Sequence, residues 1–194
     1  MNGRRLKLGA ILAGLVLSGL TLLAWTQQWF SIELIPDGSV AVGGDVAAPA
    51  LAALALSGLA LVAALAIAGP VFRVILGLLE AAIGTLVVVS AVLAIVDPVA
   101  ASASAITAVT GVSGTASVIA LVSTAAPTAW PFVALLAGAL VVAVGITIVV
   151  SGRFWPQSSR KYQTARLAEV DGSPIGDWDA LSDGRDPTWP LELP

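Results

Sequence analysis

Cysteine and histidine are both absent from this 194-residue chain, and the only methionine is Met1. Their absence excludes disulfides, thiolate chemistry, His-ligated haem and the usual zinc and copper sites. It also removes the commonest general base. Charge is scarce too: 11% of residues are charged, against about 25% in an ordinary soluble domain. No charged residue lies between Asp97 and Arg153. No apolar run carries a pair of acids, so nothing in the residue inventory points to an enzyme, a cofactor or a nucleic-acid partner.

What the chain does have is apolar length. Hydrophobic residues make up 58% of it, concentrated in four runs at about 8–26, 49–68, 74–96 and 131–150. Each run is roughly twenty residues, which at 1.5 Å per residue matches the roughly 30 Å hydrocarbon core of a bilayer. The expected fold is an all-α integral membrane protein, a four-helix transmembrane bundle. Arg4, Arg5 and Lys7 precede the first run, which ends in Trp25 and Trp29 with no clean small-x-small cleavage site after it. That pattern reads as a signal anchor rather than a removed signal peptide. Trp25, Trp29, Phe30 and Trp130 are expected as interfacial aromatic anchors. Gly9, Ala13, Gly14 and Ser18 offer small positions for close helix approach.

Two breaks interrupt the runs on one side. In the first, 27–48, Ser31 to Ile35 alternates in polarity before Pro36-Asp37-Gly38-Ser39, so a β-hairpin with Gly38 at a positive-φ position is expected. The second, 97–130, is uncharged beyond Asp97 and rich in Ser, Thr, Ala and Val. It reads as a fifth span, an interfacial helix or an ordered loop. Charge parity favours four spans: Arg4, Arg5, Lys7, Arg73, Arg153, Arg160, Lys161, Arg166 and Arg185 then share one side. Glu33, Asp37, Asp45 and Asp97 fall on the other. The positive-inside rule puts both termini in the cytoplasm; the protein is expected in the plasma membrane, with one or two short helices in the outer cap.

Glu80 is the one acid well inside an apolar run. At 100° per residue Arg73, Gly77, Glu80, Gly84, Val87 and Ala91 share a face, which should turn to the bundle interior. Arg73 lies about 10 Å from Glu80 along the axis, near enough for a partial pairing. Glu80 therefore reads either as a structural acid, as a coupling carboxylate in a transport path, or as a contact to a partner helix. Asp97, with Asp45 and Glu33, is a candidate set for an amino group in an outer cleft.

The segment from 153 on forms a tail. Arg153, Arg160, Lys161 and Arg166 make a juxtamembrane basic stretch worth about 1 kcal/mol per charge at an anionic leaflet. Asp171 to Pro194 then carries six acids against Arg185 alone and has the composition of a disordered segment. Within it Asp177, Trp178, Leu181, Asp183, Arg185 and Asp186 form a candidate partner-binding motif, with Asp177 placed to cap a short helical turn.

Several pieces together form a recognisable pattern. They are Trp25 to Phe30, Gly44-Asp45 to Pro49, Trp130-Pro131, the stretch RFWPQSSRKY at 153–162 and DWDALSDGRDPT at 177–188. The pattern resembles the tryptophan-associated transmembrane protein family of actinobacteria, also called Trp-operon-associated or Trp biosynthesis-associated membrane proteins. The resemblance covers nearly the whole chain, and the tail carries most of its specificity. It implies a four-span protein whose gene lies near tryptophan-biosynthesis genes, and it carries over no catalytic or binding residues. On this basis the expected function is a non-enzymatic accessory protein of tryptophan biosynthesis or transport. The alternative is a small oligomeric permease for tryptophan or a related aromatic compound.

Overall fold

The computed structural model describes residues 3–152. Helix α1 spans Gly3–Trp25. Strands β1 (Gln28–Leu34) and β2 (Ser39–Gly43) follow, then a single turn α2 (Gly44–Ala47). Helices α3 (Ala50–Ile67) and α4 (Pro70–Val96) come next, then α5 (Pro98–Thr110), α6 (Thr115–Leu121), strand β3 (Val122–Pro127) and α7 (Trp130–Ser151). Helices α1, α3, α4 and α7 are each long and apolar enough to cross a membrane, as the four runs predicted. Their faces are set by lipid rather than water. Leu12, Val16, Leu56, Leu79 and Leu136 point outward and are more than half or about half exposed, while Gly, Ala and a few polar residues line the inside.

The boundaries follow from local chemistry. Proline is tolerated in a first helical turn because that N–H has no intrahelical acceptor, and Pro70, Pro98 and Pro131 each sit there. Starting α4 at Pro70 places Arg73 inside the helix rather than in the connection. Asp97 ends α4 and caps α5, its Oδ1 accepting from Ala100 N–H at 2.9 Å. Gly111, at φ 71°, ends α5 in the left-handed conformation that glycine adopts without a Cβ clash.

The cap is more structured than the sequence suggests. The hairpin forms, with Gly38 at φ 141° in its turn. A third strand, β3, joins it antiparallel to β1 and gives the order β2-β1-β3. Nothing in the Ser/Thr/Ala-rich stretch 122–127 announces that pairing, which joins segments about ninety residues apart and is sealed by Ser123 Oγ donating to Glu33 O. Because α1 enters the sheet and β3 leads straight into α7, segment 98–127 begins and ends at the same end of the bundle. It therefore does not cross, and α5 and α6 meet at a 78° bend over the sheet.

The expectation for Trp29 and Phe30 needs correction. Both are fully buried in the cap core with Ile32, Val42, Ile106 and Val118, not placed at lipid. A register shift between Gln28 and Phe30 is the reason: a bulge lets consecutive residues face inward. Their rings meet edge-on at 6.4 Å, and Trp29 Nε1 donates to Ala24 O at 2.8 Å. Burying a side chain such as Phe30 contributes about 1.5–3 kcal/mol. Trp25 and Trp130 are half-buried against the same core. The cap is thus held by hydrophobic burial, whereas the spans, already in an apolar medium, depend on close packing and hydrogen bonds.

Candidate functional site

The interior of the bundle is built on one face of α4. Arg73, Gly77, Glu80, Gly84, Val87 and Ala91 are all buried, the face predicted from the 100° periodicity, extended by Ala94. Two glycines of that face meet two of α7. A Cβ at Gly84 would lie 2.8 Å from Gly138 O, and one at Gly77 would lie 3.1 Å from Gly145 O. Such contacts exist only where side chains are missing. The two helices therefore touch backbone to backbone, with glycines seven residues apart on each.

Glu80 sits between those two contacts on α4, at 0% exposure. A Cβ at Gly14 would be 3.4 Å from Glu80 Oε1, so the carboxyl points at α1, next to Val62 of α3. Neither carboxyl oxygen has a hydrogen-bond partner among the described residues. The pairing with Arg73 is not made. Arg73 is 4% exposed and turns the other way, its Nε donating to Ala68 O at 3.0 Å and its Nη1, at a longer 3.5 Å, to Gly152 O. Helix C-termini leave four carbonyls without intrahelical donors and carry the negative end of the dipole. The guanidinium thereby serves the ends of α3 and α7 together. Lys7 does the same for α3, its Nζ donating to Ala66 O at 2.8 Å. That role of Lys7 and Arg73 is invisible to a charge count, which registers both only as positive-inside residues. These bonds also place Lys7, Arg73 and Gly152 at one end of the bundle.

The outer acids do not converge. Asp97 caps α5. Glu33 accepts from Thr124 Oγ1 of β3 at 2.8 Å on the exposed face of the sheet. Asp45 stands in the first turn of α2. Two cavities of about 300 and 400 Å³ flank Asp97, one under α5 and α6 and one between α4, α5 and the start of α3. Neither includes Glu33 or Asp45, so the three-acid cleft expected from the sequence is not formed. A third cavity, of about 670 Å³, lies at the opposite end between α1 and α7. Arg5, Leu6, Gly9, Ala10 and Ala13 line it from α1, and Val144 and Thr147 from α7. None of the three reaches Glu80. No group of three or more metal-ligating side chains occurs among the described residues. The tail motif Asp177 to Asp186 lies outside the described residues.

The profile of the tryptophan-associated transmembrane protein family matches residues 7–188. The chain belongs to that family. The match runs through all four spans, the cap and the tail motif, along almost the whole length of the chain. No curated protein and no solved structure matches it. Family membership carries the tryptophan association and the membrane location. The chemistry has to be read from the residues themselves.

Proposed function

We propose that this protein is a non-enzymatic accessory component of tryptophan biosynthesis or transport in the plasma membrane, acting by holding partners rather than by conducting a solute. The observation that carries the reading is the closed interior. The one acid within the spans is fully buried against Gly14 and Val62, and the α4–α7 contact beside it is backbone on backbone. A coupling carboxylate in a permease needs a route to water or substrate, and none of the three cavities leads to Glu80. The absence of His and Cys from the whole chain argues in the same direction against catalysis. In this reading both termini are cytoplasmic, following the positive-inside rule, and Asp177 to Asp186 is the recruiting motif.

The test compares two chains purified from native membranes in mild detergent, one full-length and one truncated after Asp171. A stoichiometric partner retained only by the full-length chain supports the accessory role. Tryptophan uptake into proteoliposomes containing the purified protein alone, lost in Glu80→Gln, would replace it with the permease.

A further inference from the structure

The groove between α1 and α7 differs from the other small-residue contacts of the bundle. Gly14, Gly77, Gly84, Gly138 and Gly145 are each pressed against a neighbouring element, so a Cβ there would collide. Gly9 is different: a Cβ there would meet nothing within 4 Å. The missing side chain at Gly9 opens space instead of admitting a helix of this chain. Ala10 and Ala13 continue the recess. Val144 and Thr147 form the opposite wall. Thr147 Oγ1 donates to its own helix at Ala143 O, which leaves that wall without an unused donor.

The mouth has the opposite character. Arg5 lies at the start of the α1 span and at the edge of the groove, one turn from Gly9 and on its face. Lys7 is committed to Ala66 O, and no acidic side chain stands in the first turn of α1. The helix dipole therefore adds to the positive charge at this entrance. From Arg5 the recess runs through Gly9 to Ala13, about 6 to 12 Å deeper along the helix. A guanidinium at headgroup level above an apolar slot at acyl-chain depth has the charge and polarity profile of one molecule class.

We propose that this groove is a binding site for an anionic phospholipid, with the phosphate on Arg5 and one acyl chain lying along Gly9, Ala10 and Ala13 against Val144. Positive-inside placement puts the mouth in the cytoplasmic leaflet, where anionic lipids are enriched and basic pockets between spans hold their headgroups. Arg suits a phosphate because its planar fork of donors matches two phosphate oxygens.

The experiment uses full-length protein, stripped of lipid in detergent and titrated with phosphatidylglycerol or phosphatidylcholine of identical chains. Retained lipid is read by native mass spectrometry. The expected result is retention of one phosphatidylglycerol, preferred over phosphatidylcholine about fivefold. Arg5→Gln should abolish the preference while still admitting either lipid. Gly9→Leu, at a position with room for a side chain, should fold normally and lose both. Equal retention of the two lipids by the native chain, or unchanged retention in Gly9→Leu, would overturn the proposal. So would a Gly9→Cys variant that cross-links to a second copy in high yield in membranes, because a protein would then cover the groove.

Discussion

Arg73 and Glu80 lie on one face of α4, both buried, and do not pair. Arg73 instead binds the carbonyl ends of α3 and α7, and Glu80 faces the glycine of a third helix. The pair that charge and spacing suggest is divided because the helix ends are the stronger claim on the guanidinium. Carbonyls at the C-terminus of a span otherwise lack donors, and a two-turn reach to Glu80 would strand them.

An unpartnered polar group in a closed interior destabilises by about 1–3 kcal/mol relative to an apolar group of the same shape. Glu80→Leu should therefore raise the thermal midpoint of the purified protein, and Glu80→Gln should leave it near the native value. Thermal unfolding in detergent followed by Trp fluorescence measures both. A Glu80→Leu chain that is markedly less stable would mean the carboxyl has a partner that holds the bundle together.

The glycines of the α4–α7 contact predict a strong positional contrast. Gly84→Leu or Gly138→Leu overpacks a backbone contact and should destabilise by about 1–3 kcal/mol or more. Gly19→Leu should be nearly neutral, since a Cβ there meets nothing within 4 Å. Size-exclusion profiles after brief heating would rank the three variants. Equal behaviour would contradict the packing described.

Removing the guanidinium at position 73 should cost about 1.5–3 kcal/mol for each charged hydrogen bond lost. Arg73→Met keeps the aliphatic stem and should unfold at clearly lower temperature. Arg73→Lys should recover part of the loss, because a single ammonium cannot span both helix ends as the fork does. The comparison of the two variants separates hydrogen bonding from packing.

At the opposite end, Asp97→Ala should destabilise by about 0.5–2 kcal/mol through loss of the α5 N-cap, and Asp97→Asn should retain most of it. Hydrogen exchange at the first turn of α5 reports the cap directly. Unchanged protection in Asp97→Ala would show that α5 is held by the sheet alone.

The chain has no cysteine, so single-cysteine labelling has no background. Asp37→Cys, in the exposed hairpin turn, should react with a membrane-impermeant maleimide on intact cells. A fluorescent protein fused after Pro194 should fold and fluoresce in the cytoplasm. Labelling of Asp37→Cys only after lysis would invert the orientation.

The sequence by itself determined the four apolar helices long enough to span and the inward face of α4. These are local signals. A run of twenty apolar residues and a 100° repeat are written in neighbouring positions, and Arg73, Gly77, Glu80 and Gly84 fall together whatever surrounds them. The hairpin was legible for the same reason, through Pro36-Asp37-Gly38-Ser39.

Only the tertiary structure decided what depends on distant segments. Strand β3 exists because β1 offers it an edge across some ninety residues of chain. Trp29 and Phe30 are both inside because a bulge breaks the alternation. Arg73 and Lys7 found their acceptors on helices they do not belong to. Of the four small positions Gly9, Ala13, Gly14 and Ser18 on α1, packing alone determined that Gly14 meets a neighbouring helix while Gly9 opens a groove. A glycine looks the same in sequence whether it brings two backbones together or leaves a space between them.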